Sequence, residues 1–96
     1  MKISKTEEDG IVTLTLEGWL DTQAAPELEE ALKDIRDDIS ALIFDCSGLE
    51  YISSSGIRQI VSAHKRMNGN FTLKNVSDEI LGVLKVTGIA NRIKIE

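Results

Sequence analysis

The 96-residue chain is 42% hydrophobic and 28% charged, a balance that suits one folded domain over residues 1–96 and excludes a disordered chain. Sixteen acidic against eleven basic side chains give a formal net charge of −5, which argues against a nucleic-acid partner. The single cysteine, Cys46, excludes an internal disulfide and a multi-cysteine zinc site, and the longest wholly apolar run, Ala41–Phe44, is far too short to span a bilayer. With no basic and apolar signal segment at the start, the expectation is a soluble cytoplasmic protein that neither enters a membrane nor binds nucleic acid.

Val12, Leu14 and Leu16 alternate with Thr13, Thr15 and Glu17, the pattern of a half-buried strand over Ile11–Glu17. Glu8-Asp9-Gly10 before it carries the Asp-Gly pair of a tight hairpin, so Lys2–Glu7 is the antiparallel partner. Leu28, Leu32, Ile35 and Ile39 recur at helical spacing; Pro26 suits the first turn of that helix, and Glu27, Glu29 and Glu30 suit its positive end. Ala41–Asp45 reads as a central strand. A second helix runs from about Ser54 to Met67, with Ile57, Ile60, Val61 and Met67 inward, and Asn68-Gly69-Asn70 stops it. Phe71–Asn75 is a further strand, Ser77 caps a third helix carrying Ile80, Leu81 and Leu84, and Arg92–Ile95 adds a short last strand. The fold class is therefore α/β: a mixed sheet of four to five strands, antiparallel in the first hairpin and parallel in the rest, covered by about three helices.

The most unusual stretch, Asp45-Cys-Ser-Gly-Leu-Glu-Tyr-Ile-Ser-Ser-Ser-Gly-Ile57, leaves the end of a buried strand and enters a helix, the place where sites gather in open α/β sheets. Ser53 or Ser54 caps that helix, and Gly56 leaves its first turn bare enough for another molecule to approach. A phosphorylated hydroxyl here would sit against the positive end of a helix and unpaired N–H donors, adding roughly −1.5 to −2 charges. That is the local physics of a binding switch; a simple cap and polar turn remains the other reading. Asp21 reads as a turn residue bonding local N–H groups and also as part of a partner surface. Asp45 and Ser47 hold the turn after the central strand and support the Ser54 loop. His64 reads as a packed, hydrogen-bonded core histidine; it lacks further metal ligands, and a Cys46–His64 nucleophile pair has no oxyanion hole beside it. No Gly-x-Ser-x-Gly elbow and no phosphate-binding glycine loop with its lysine is present. Trp19 lies in a turn-like segment, packed over the helix entrance or exposed as a partner anchor. Arg58, Lys65 and Arg66 form a solvated basic helix face that could also meet an acidic partner.

Three segments together resemble the STAS domain, the family of sulfate transporters and anti-sigma-factor antagonists, over essentially the whole chain. Glu17-Gly-Trp-Leu-Asp-Thr-Gln-Ala-Ala-Pro-Glu-Leu28 is similar to the family's G-x-L-D-x-x-x-A-x-x-L turn. Ile43–Ile57 is similar to D-x-S-x-x-x-x-x-D-S-S-G-L, and Leu84-Lys-Val-Thr-Gly-Ile89 to L-x-x-x-G-L. The resemblance is strongest to the free-standing bacterial antagonists. It implies a non-enzymatic module that binds an anti-sigma factor, itself a serine kinase, and frees the sigma factor. Phosphorylation ends the complex and a serine phosphatase resets it. The match places the acceptor on Ser54, with Ser53 and Ser55 as alternatives, and the partner surface on Asp21, Ser53, Ser54, Ser55, Gly56 and Arg58. Ser53 stands where the family has an acidic residue. The resemblance implies no cofactor and no metal, and the working state expected is a monomer. An alternative within the family is a docking subunit of a membrane transport system, binding an ATPase without a switch.

Overall fold

A computed structural model describes residues 1–96. The elements in chain order are β1 (Lys2–Glu8), β2 (Ile11–Leu20), α1 (Ala25–Lys33), β3 (Ala41–Ile52), α2 (Ser54–Arg66), β4 (Phe71–Lys74), α3 (Asp78–Val86), a 3-10 turn (Ile89–Asn91) and β5 (Lys94–Ile95). β1 and β2 form the expected antiparallel hairpin, with Glu8 opposite Ile11. Asp9 (φ 53°) and Gly10 (φ 80°) both adopt left-handed backbone, as a two-residue hairpin turn of the favoured hand requires.

The five strands lie in the order β1-β2-β3-β4-β5, and every pairing after the hairpin is parallel. Each parallel step crosses through one helix. Right-handed crossovers between sequential neighbours put all three helices on the same side of the sheet. The burial pattern agrees. Val12, Leu14, Leu16, Leu42, Phe44, Phe71 and Leu73 are buried on that side, with Phe44 and Phe71 edge to face at 4.8 Å. The alternate residues Thr13, Thr15, Ile43, Asp45, Thr72 and Lys74 are half-buried on a face that carries no helix.

Two expectations on element length are corrected. β2 and β3 run on to Leu20 and Ile52, where the sequence pattern ended them at Glu17 and Asp45. Their pairing slips between Thr15 and Glu17 and again between Gly18 and Trp19, and each slip adds one extra residue to β3. These bulges break the period-two alternation that marks a strand. Trp19 accordingly lies in a strand, not in a turn. In contrast, α1 is shorter than its apolar stripe: it ends at Lys33, while Ile35 and Ile39 are buried beyond it. Arg66 supplies the reason. Its guanidinium donates to the Leu32 carbonyl, to the Ile35 carbonyl at 2.6 Å and to Asp37 at 3.1 Å, satisfying acceptors at the helix end. Arg66 is therefore a structural clamp between α1 and α2, not a member of a solvated basic face.

Ser77 caps α3 as expected, its hydroxyl accepting from the Ile80 N–H at 3.2 Å. His64 departs from expectation: it packs against Phe71 with ring centroids 6.3 Å apart, but its buried Nδ1 has no hydrogen-bond partner. Cys46 is 2% exposed, and burial together with the Asp45 charge pushes its thiol up to about 12. The thiolate is the reactive form. The folded protein should therefore resist aromatic disulfide reagents at pH 8, with labelling at the rate of unfolding; rapid labelling without denaturant would contradict this packing.

Candidate partner-binding site

The carboxyl ends of β2 and β3 run side by side, with Trp19 opposite Tyr51 and Leu20 opposite Ile52. Ser53 follows in extended conformation (φ −98°, ψ 174°). Its N–H continues the sheet, donating to the Leu20 carbonyl at 2.9 Å. Its hydroxyl turns the other way and accepts from the Gly56 N–H at 3.3 Å, the N-cap of α2. Its carbonyl accepts the first helical bond, from Ile57 at 2.9 Å. One serine thus ends a strand, caps a helix and starts its ladder.

The three adjacent hydroxyls differ as a result. Ser53 is committed to the cap. Ser54, the first residue of α2, is exposed, and its hydroxyl has no partner within the chain. Ser55 is half-buried. The N–H groups of Ser54 and Ser55 precede the helical ladder and have no acceptor inside the helix. Gly56 is buried, and a Cβ built on it would lie 2.6 Å from Leu20 Cγ, 2.8 Å from the Leu20 carbonyl oxygen and 2.9 Å from Ile52 Cγ1. This corrects the reason expected for the glycine: the close approach is made by the chain's own Leu20 and Ile52, not by a visiting molecule.

Asp21 follows Leu20 directly. Its Oδ1 accepts from the N–H of Gln23 at 3.1 Å and of Ala24 at 2.9 Å, holding the turn into α1. The other carboxylate oxygen makes no bond within the chain. Arg58 is exposed one turn along α2 from Ser54 and forms no internal ion pair, and Lys65 is likewise exposed.

Asp45 and Ser47 sit at the first bulge of β3. Asp45 Oδ1 accepts from the Ser47 N–H at 3.0 Å and from Asn75 Nδ2 at 3.0 Å. The Asn75 hydrogen bond is the main reason its carboxyl lies below the usual range; burial opposes it, and the Ser47 bonds and Lys74 charge add to it. No bond runs from Asp45 to Ser53–Gly56, so any support for the serine loop passes through β3. Asn75, which sequence reasoning passed over, has φ 57°, a left-handed backbone that asparagine tolerates better than most residues. Tyr51 was also passed over; it is 43% exposed and lies against Trp19, itself 58% exposed, with ring centroids 5.0 Å apart.

No group of three or more His, Cys, Asp or Glu is placed to hold a metal ion. No carboxylate or imidazole bonds to Ser54 as a base would. The arrangement offers an exposed, uncommitted hydroxyl at a helix start, flanked by an acidic turn and an arginine.

The STAS domain model matches residues 2–96, and the chain belongs to that family. A relative from Staphylococcus aureus named anti-sigma-B factor antagonist is 28% identical, covering 99% of this chain and 92% of its own. An anti-sigma factor antagonist from Mycobacterium paratuberculosis has the same fold, with TM-score 0.88, 21% identity and coverage of 98% of this chain and 83% of that one. The anti-sigma factor antagonist SpoIIAA in its unphosphorylated form superposes with TM-score 0.81 at 16% identity, covering 99% of this chain and 88% of that one.

Gly56→Ala tests how tightly the helix start is pinned. The added methyl meets a backbone oxygen that cannot swing aside. The substitution should cost about 3 kcal/mol, the upper part of the overpacking range, read from the urea midpoint at constant slope. A change below about 0.5 kcal/mol would mean that α2 is free to shift away from β2.

Proposed function

We propose that this STAS-family chain is an anti-sigma factor antagonist. Unmodified, it binds an anti-sigma factor that is also a serine kinase, and so frees the sigma factor. Phosphorylation of Ser54 ends the complex, and a serine phosphatase restores it. The observation that carries the reading is the division of labour among the serines: Ser53 is spent on the cap, while Ser54 is exposed with a free hydroxyl at the first helical position. The names of the relatives support the same reading.

The physics of the switch follows from position. A phosphate on Ser54 faces the positive end of α2 and the unpaired N–H groups of Ser54 and Ser55, so the fold tolerates the new charge. A partner seated on Asp21, Ser53, Ser54, Ser55 and Arg58, with buried Gly56 only fixing the helix start beneath them, meets roughly −1.5 to −2 added charges where it had an uncharged hydroxyl. Ser53 in place of the family's acidic residue removes a like charge from beside that phosphate. Asp45 and Ser47 act at a distance, by fixing the bulge from which the rest of β3 is aimed. The module performs no chemistry itself, uses no cofactor, and works as a monomer in the cytoplasm.

The test is binding of the cognate anti-sigma kinase to two variants. Ser54→Asp should weaken the complex at least tenfold, about 1.4 kcal/mol, with the urea midpoint unchanged. Ser54→Ala should bind like the unsubstituted chain and stay bound when ATP is added. Undiminished binding of Ser54→Asp would remove the charge switch and leave a constitutive docking module, with a transport ATPase as the partner to seek.

A further inference from the structure

The one tryptophan of the chain is on the outside. Trp19 and Tyr51 touch each other on the sheet face opposite Leu20 and Ile52, and that face has no helix to cover them. Nothing in the fold needs them there: Leu20 and Ile52 already fill the core at this end of the sheet. Large amphipathic rings are enriched at protein interfaces because they bury much area with few rotatable bonds.

The surroundings narrow down the occupant. Beside Trp19 lies an open groove of about 560 Å³ lined by Leu49, Glu50, Ser77, Asp78 and Glu79. Glu50, Asp78 and Glu79 are exposed, and none has an ion pair within the chain. Asp78 and Glu79 also suit the start of α3, but Glu50 has no helix to serve. It is the residue left without a β2 partner where the register jumps from Gly18–Leu49 to Trp19–Tyr51. Bulges re-aim side chains, and this one sets a carboxylate beside the aromatic pair.

We propose that Trp19 and Tyr51, with Glu50, Asp78 and Glu79 as rim, form a docking surface for a basic segment of a partner protein. An arginine or lysine of that segment lies over the rings while its charge meets the carboxylates, and a neighbouring aliphatic side chain fills the groove. The surface adjoins the Ser54 region through Leu20 and Ile52 but does not depend on phosphorylation.

The experiment is a titration of the full ¹⁵N-labelled chain with an acetylated, amidated hexapeptide alternating leucine and arginine, against the same peptide with glutamate for arginine. The Trp19 indole N–H is a unique reporter. The expected result is a saturable shift of that resonance by the arginine peptide, with a dissociation constant of about 1 mM or tighter, weakened at high salt. Trp19→Ala should abolish the saturable shifts at Tyr51 and Glu50, and Glu50→Lys with Glu79→Lys should weaken binding at least threefold while leaving Trp19 in place. Absence of saturable shifts, equal shifts from the glutamate peptide, or shifts confined to residues away from Trp19, Tyr51 and Glu50 would overturn the proposal. A Trp19 shift that depends on protein concentration without peptide would overturn it in favour of a second copy of the chain. No kinase or phosphate enters the measurement, so its failure is distinct from failure of the antagonist reading.

Discussion

The Ser53 N–H meets the Leu20 carbonyl at 2.9 Å, and the bare α-carbon of Gly56 rests against the same Leu20. This contact joins the last bond of the sheet to the first turn of α2. It sets where the helix starts, and so which serine becomes cap and which becomes surface. Asp21 is carried by the residue next to that bond, and Ser54 by the residue after it. The turn and the serine therefore cannot drift apart without breaking the end of the sheet. A rigid mount suits the proposed switch, whose signal is a phosphate of roughly −1.5 to −2 charges, because the energy of that charge against a partner depends on their separation.

The one-sided sheet explains the rest of the distribution of roles. All three helices and the core occupy one face, where Phe44 and Phe71 lie. The carboxyl ends of the parallel strands converge at one edge, as is usual for sites in α/β folds. The two bulges in β3 do different work at that edge. The first is tied by Asp45 to Asn75 and so to the end of β4; the second frees Glu50 and brings Tyr51 under Trp19. Arg66, far from the site, keeps α1 against α2 by capturing carbonyls beyond the end of α1.

Much of this was legible in the residues. The Asp9-Gly10 turn, the apolar period of α2, the Ser77 cap and the position of the serine cluster at a helix start were all readable from local chemistry. What stayed hidden was non-local. The extension of β3 to Ile52 is invisible because bulges scramble alternation in Cys46-Ser-Gly-Leu-Glu-Tyr51. The end of α1 depends on an arginine 34 residues away along the chain, which no window around Leu32 contains. Gly56 looked open because sequence cannot show that Leu20 already fills the space. The family motif alone points to Ser54 as acceptor; which serine caps the helix was not readable, since both Ser53 and Ser54 suit an N-cap by type, and the Gly56 N–H bond to Ser53 decides it.

The central claim is that Ser53 serves the fold and Ser54 serves the switch. Phosphopeptide mapping of the protein taken from its native cells, in growth and in starvation, tests this most directly. The account predicts a single phosphate, on Ser54, whose occupancy changes between the two conditions. Phosphate on Ser53, whose hydroxyl the account commits to the cap, or no phosphate in either condition would contradict it.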